Sequence, residues 1–81
     1  LASEGSKLGI RSNCIEPGFI PTNLTKNTPL SDAVWEKELS KYPMGFGESS
    51  DAANLVEFLI SDKSKWITGQ DFRLDGGLSL Q

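Results

Sequence analysis

The stretch from Asn13 to Thr22, NCIEPGFIPT, holds the residues best suited to meet a ligand. It opens like a short apolar strand, breaks at Pro17 and Gly18, and then presents Phe19, Ile20, Pro21 and Thr22. Gly18 has no side chain, so a flat ring can approach the backbone there closely. Phe19 and Ile20 offer apolar surface. A carboxamide needs an acceptor for its NH2 and a donor for its carbonyl, and one residue's backbone can supply both. Ile20 is placed to do so. Pro21 has no N–H, which leaves the Thr22 hydroxyl as the next polar contact. A plain turn after a strand would use the same residues, and the residues alone leave both readings open.

Few other side chains could do chemistry. Histidine is absent, so histidine-based triads and histidine-rich metal sites cannot be built from this chain. The single cysteine, Cys14, cannot form an internal disulfide; it reads as a buried small apolar thiol, not a nucleophile, and fits a reducing cytoplasm. No metal site is expected. The single tyrosine, Tyr42, has Lys41 beside it and Phe46 four residues on. Neighbours on a helix face different ways, so Lys41 does not pair with it. The glycines at 45–47 and 76–77 lack the spacing of a phosphate loop and read as turns. Asn23–Leu24–Thr25 matches a glycosylation sequon, a tripeptide common by chance.

Composition narrows the partners. The 81 residues allow at most one small domain. They are 37% hydrophobic and 23% charged, with net charge -3, which disfavours a polyanionic partner such as nucleic acid. No apolar run approaches the roughly 18 residues of a membrane span, so no membrane partner is expected. The chain begins at Leu1 in LASEGSKLGI, which reads like the end of a helix. The N-terminal part of a larger domain is expected to lie upstream.

The elements that must position the ligand-facing stretch follow from periodicity and punctuation. Residues 9–17 read as a strand bracketed by Gly9 and Pro17. A polar loop follows. Ser31 or Asp32 then caps a short helix with Val34, Trp35, Leu39 and Tyr42 at helical spacing, stopped by Pro43. A second helix spans SSDAANLVEFLISD. Its stripe of Ala52, Leu55, Val56 and Leu59, widened by Phe58 and Ile60, predicts burial against a sheet. The last strand is QDFRLDGG, alternating Phe72 and Leu74 with Asp71, Arg73 and Asp75. Strand, small helix, longer helix, strand is a crossover unit, so the strands should be parallel and adjacent. The surplus from Thr22 to Gly47 starts at a strand's carboxyl end, where open parallel sheets bind ligands. It reads as a lid.

Two motifs resemble a known family. GIRSNCIEPGFIPTNLT resembles the segment G-I-R-x-N-x-x-x-P-G-x-x-x-T of short-chain dehydrogenases/reductases, and WITGQDFRLDGG resembles that family's closing strand. Their order and separation also match, so the likeness covers the whole chain. Within the family, P-G-F-I-x-T is most like the 3-oxoacyl-carrier-protein reductase type. Ser12 stands where valine is usual, the turn PMGFGE lacks a common arginine, and SSDAA replaces the usual P-E-D-V-A. These departures blur the subgroup and remove no expected cofactor contact.

The resemblance implies an α/β fold, a Rossmann-type doubly wound parallel sheet of seven strands. This chain would hold the last two strands with the connecting lid and helix. Residues 1–81 would be the C-terminal part of a single nicotinamide-cofactor-binding domain. It implies NAD or NADP as cofactor, with Pro17, Gly18, Ile20 and Thr22 at the nicotinamide end. Phe19, Leu24, Trp35, Leu39 and Met44 become candidates for touching a small carbonyl or alcohol substrate, or for packing the lid on the sheet. It implies a homo-oligomer, tetramer or dimer, through the Leu55 to Ile60 helix and the Phe72 to Leu74 strand. The family's acid/base Tyr-x-x-x-Lys is expected upstream of Leu1, so no catalytic residue is assigned here. The alternative is a non-catalytic relative that keeps the fold as a binding or assembly module.

Overall fold

The computed structural model describes residues 1–21 and 31–80. Its elements run α1 (Ala2–Ser6), β1 (Cys14–Pro17), α2 (Asp32–Leu39), α3 (Ser49–Ile60), a 3-10 turn (Asp62–Ser64), β2 (Asp71–Leu74) and a final 3-10 turn (Leu78–Leu80). The end of α1 is closed by Gly9 at φ +76°, which glycine adopts without steric cost. Ile10 N–H donates to Gly5 C=O and Gly9 N–H to Ser6 C=O, the paired bonds of a Schellman cap.

The two strands pair in parallel, with Cys14 opposite Asp71, Ile15 opposite Phe72, Glu16 opposite Arg73 and Pro17 opposite Leu74. This is the pairing the crossover order requires. Phe72 and Leu74 are half-buried, while Asp71 and Arg73 are exposed, as their alternation predicts.

The first strand is shorter than expected, beginning at Cys14 instead of Gly9. The residues before it are tied to the approach to β2 by side chains. Ser12 N–H donates to the Thr68 hydroxyl at 3.0 Å. The Asn13 amide donates to Ile67 C=O at 3.2 Å and accepts from Gln70 N–H at 3.0 Å. The Arg11 guanidinium donates to Leu59 C=O at 2.8 Å, at the end of α3, and to the Ser64 hydroxyl at 3.2 Å. Ser64 is wholly buried, with Oγ 2.8 Å from Phe58 C=O and 3.0 Å from Leu59 C=O. Arg11 and Ser64 thus satisfy carbonyls that the end of α3 leaves unpaired.

Both helices start as their sequences predict. The Ser31 hydroxyl accepts from Val34 N–H at 3.3 Å and caps α2. The Asp51 carboxylate accepts from Glu48 N–H at 2.7 Å at the start of α3.

Two burial expectations are corrected. Helix α3 buries only Leu59, while Val56, Phe58 and Ile60 are 45%, 39% and 77% exposed. Two paired strands of four residues offer one narrow face, too little to cover a stripe that wide. Cys14 is exposed, not buried. Its thiol is still a poor nucleophile, because desolvation and the Asp71 carboxylate across the ladder push its pKa up.

Candidate functional site

Because the strands are parallel, the loops after β1 and β2 leave from the same rim of the sheet. Pro17 ends β1, exposed and opposite Leu74. Gly18 N–H then donates to Leu74 C=O at 2.8 Å and carries the ladder one step further. The missing side chain at Gly18 makes room for the protein itself. A Cβ there would lie 2.9 Å from Asp75 Cα and 3.0 Å from Tyr42 Cε1.

Phe19 is held at both peptide groups. Its N–H donates to the Tyr42 hydroxyl at 3.0 Å, and its C=O accepts from Gly47 N–H at 3.4 Å. No hydrogen bond joins the Ile20 N–H or C=O to another described residue.

Residues 42–47 form a strap between the two strand ends. Besides the bonds to Phe19, Met44 N–H donates to Gly76 C=O at 3.0 Å. Gly76 and Gly77, at φ +57° and +93°, turn the chain away after β2. The Asp75 carboxylate accepts from Gly77 N–H and Ser79 N–H, each at 3.1 Å. The Ser79 hydroxyl first, then those N–H groups and the Arg73 charge, hold the Asp75 carboxyl below its ordinary pKa.

Four aromatic rings pack α2 against this rim. Phe19 lies 5.8 Å from Trp35 and 5.1 Å from Phe46; Trp35 lies 6.1 Å from Phe46, and Tyr42 5.5 Å from Phe46. Such tilted and edge-to-face contacts are worth about 0.5–1.5 kcal/mol per pair beyond burial. A cavity of about 450 Å³ opens between the strap and the strand ends, with Phe19, Ile20, Tyr42 and Phe46 as apolar wall and Asp51 and Asn54 on its polar side. Cysteine, lysine and serine are absent from its described lining. The described site can bind and orient a ligand, with Asp51, Asp75 and Tyr42 as its oxygen-bearing acidic groups.

The expected ligand residues are distributed unevenly. Pro17, Gly18, Phe19 and Ile20 sit together on the rim, and Trp35 reaches it through the ring cluster. Met44 borders the cavity but is 83% exposed. Leu39, 43% exposed at the end of α2, is not part of the cavity. Thr22 and Leu24 lie outside the described residues. Sequence reasoning missed Tyr42 and Phe46 as parts of the site. The helical spacing that counted Tyr42 as packing was the available signal for one; nothing local marked Phe46.

This geometry has close counterparts among known proteins. Residues 1–79 match the family described as enoyl-(acyl carrier protein) reductase. A short-chain type dehydrogenase/reductase from Mycobacterium ulcerans superposes with a TM-score of 0.88 at 34% identity, covering 99% of this chain and 30% of that one. The chain belongs to the short-chain dehydrogenase/reductase family. Within that family it is 47% identical over 81 residues to the 3-oxoacyl-(acyl-carrier-protein) reductase FabG of Buchnera aphidicola subsp. Schizaphis graminum, covering 99% of this chain and 32% of that protein. The FabG of Staphylococcus aureus strain Mu50 is 44% identical over 80 residues, covering 98% of this chain and 32% of that protein. A 4-hydroxyisoleucine dehydrogenase complexed with NADH superposes with a TM-score of 0.88 at 36% identity, covering 99% of this chain and 33% of that one. The chain thus spans about a third of the length of the relatives it matches. No helix among the described residues is long and apolar enough to cross a membrane.

Proposed function

We propose that this chain is the C-terminal part of a single nicotinamide-cofactor-binding domain, in an NAD(P)-dependent oxidoreductase that interconverts a carbonyl and an alcohol. In this reading β1 and β2 are the last two strands of a doubly wound, seven-stranded parallel sheet. Membership of the short-chain dehydrogenase/reductase family supports it, as do relatives solved with NADH and with NADP. The observation that carries the chain's own role is Ile20. It stands at the carboxyl rim with no bond from its N–H or C=O to another described residue.

The residues present fit a nicotinamide. A carboxamide pairs with one donor and one acceptor, and the Ile20 backbone offers both. Pro17 and Gly18 shape the approach, and the Thr22 hydroxyl adds a polar contact. A bound nicotinamide supplies or accepts the hydride. This chain's residues hold its carboxamide end and exclude water with the lid; Phe19, Leu24, Trp35 and Met44 are the candidates for touching substrate, and Leu39 lies outside the cavity. Proton transfer belongs to a Tyr-x-x-x-Lys pair upstream of Leu1. The parent works in the cytoplasm as a homo-oligomer, tetramer or dimer, through the Leu55 to Ile60 helix and the Phe72 to Leu74 strand.

The test is a titration of the full-length protein with NADH and NADPH, followed by nicotinamide fluorescence. The wild type should bind one or both. Thr22→Ala should weaken binding about three- to tenfold, the loss of one hydrogen bond, without lowering Tm. Unchanged affinity removes Thr22 from the site, and no binding by wild type removes the cofactor.

A further inference from the structure

We infer that Tyr42 is a positioning residue for the cofactor: its hydroxyl sets the orientation in which the Ile20 backbone meets the carboxamide. The inference rests on the nicotinamide reading above and adds a residue that reading does not use.

Tyr42 is one of the few buried side chains, 8% exposed, although it lies in a connecting segment. Its hydroxyl accepts the Phe19 N–H at 3.0 Å. Its ring edge stands against Gly18, where any Cβ would lie 3.0 Å from Cε1. Its other side meets Phe46, which in turn packs on Phe19. Tyr42 therefore meets the loop at Gly18 and at the Phe19 N–H, and reaches the Phe19 ring through Phe46.

Planarity passes this constraint along the chain. The Phe19 C=O and the Ile20 N–H belong to one rigid peptide unit. Among the described residues that unit is held on its carbonyl side by Gly47 N–H alone, at a long 3.4 Å. The shorter bond, from Phe19 N–H to Tyr42, fixes the preceding peptide. Together they leave little freedom in the direction of the Ile20 N–H. Without the phenol oxygen the Phe19 N–H loses its partner, and rotation of the Gly18–Phe19 peptide toward water becomes the way to satisfy it.

Tyr42 is also part of the lid's end. Its N–H donates to Leu39 C=O, and its C=O accepts from Gly45 N–H. The residue that orients the loop is thus the one where α2 gives way to the strap.

Tyr42→Phe in the full-length protein tests this, because it keeps the ring and removes one oxygen. The Kd for the nicotinamide cofactor should rise about tenfold, and its KM in parallel, with kcat at saturating cofactor changed by less than about twofold. Affinity for ADP-ribose, which carries no nicotinamide, should not move. Phe19 amide exchange should be slow in wild type and fast in the variant, and the wild-type half needs no variant to fold. Equal losses for cofactor and ADP-ribose, an unchanged cofactor Kd, or fast exchange at wild-type Phe19 would each overturn the assignment to Tyr42. In all three the wild type still binds cofactor. Wild type that binds no nicotinamide cofactor overturns the underlying reading, and this inference with it.

Discussion

Gly18→Ala separates two reasons for a glycine at the end of β1. If the glycine serves only the approach of a ligand, alanine leaves the ligand-free protein as stable as before, or more so. The φ of Gly18 lies outside the left-handed region. Alanine there therefore restricts the unfolded chain at no backbone cost, a gain of about 0.4–1 kcal/mol. The geometry predicts the opposite sign. The added Cβ meets Asp75 Cα at 2.9 Å, Asp75 Cβ at 3.0 Å and Tyr42 Cε1 at 3.0 Å. The first of these is main chain and cannot rotate away, and Tyr42 is pinned through Phe19. Overpacking of this kind costs about 1–3 kcal/mol, so the net loss should be about 1–2 kcal/mol. Urea unfolding of the ligand-free, full-length protein measures it. Gly45→Ala is the companion variant. Its Cβ would meet nothing within 4 Å, but its φ is +79°, so its cost is the left-handed penalty of about 1–2 kcal/mol. Removing the Tyr42 ring should recover part of the Gly18→Ala loss and none of the Gly45→Ala loss. A Gly18→Ala protein at least as stable as wild type would mean that the strand end has room, and the crowding argument would be wrong.

Ser64→Ala should cost about 1–2 kcal/mol, because a buried hydroxyl among the carbonyls of Phe58 and Leu59 is lost and Arg11 loses an acceptor. Chemical denaturation reads this directly, and a loss below about 0.5 kcal/mol would show that the end of α3 needs no such closure. Asp75 makes stability pH-dependent in one direction. Its folded pKa is lowered, so its contribution is complete above the unfolded value of about 3.9 and is lost as pH falls through the folded value. The stability difference between wild type and Asp75→Asn should therefore be flat near neutrality and shrink below about pH 4. A difference that grows in acid would contradict the lowered pKa.

The strand order and the parallel pairing could be read in advance because they depend on local signals. Pro17 and the glycines at 76–77 stop the strands, and the Phe72 and Leu74 alternation gives the second its half-buried face. The start of β1 could not be read that way. Arg11 and Asn13 are spaced like strand residues, yet they use side chains where a ladder would use backbone, and the Ser12 N–H finds the Thr68 hydroxyl in place of a main-chain carbonyl while its C=O accepts from Gly69 N–H. Nothing local states that Asn13 will bond Ile67 and Gln70 more than fifty residues away. The exposure of α3 was hidden for a similar reason. An amphipathic stripe records what a helix can bury, and the extent of the sheet decides how much it does bury. At the rim, the loop after β1 announced itself through Pro17, Gly18 and Pro21. The contacts that hold it, from Tyr42, Gly47 and Phe46, arise only when the strap folds back.

The two ends of the strand pair are held by different kinds of force. At the amino end Arg11, Asn13 and Ser64 make directional hydrogen bonds to main-chain carbonyls. These tolerate little displacement, since such bonds weaken steeply with angle. At the carboxyl rim the restraints are mostly ring contacts, among Phe19, Trp35, Tyr42 and Phe46, together with turns at Gly45, Gly76 and Gly77. Aromatic contacts remain favourable over a range of tilts and offsets. The contacts of Trp35, on α2, with Phe19 and Phe46 are of this kind. Directional bonds are present there too: Gly18 N–H donates to Leu74 C=O at 2.8 Å, Met44 N–H to Gly76 C=O at 3.0 Å, and Phe19 N–H, one residue before Ile20, to the Tyr42 hydroxyl at 3.0 Å. The loop after β1 is thus held in two ways: the Tyr42 hydroxyl fixes the Phe19 N–H by a directional bond, while the rings of Trp35 and Phe46 pack on the Phe19 ring through contacts that tolerate tilt.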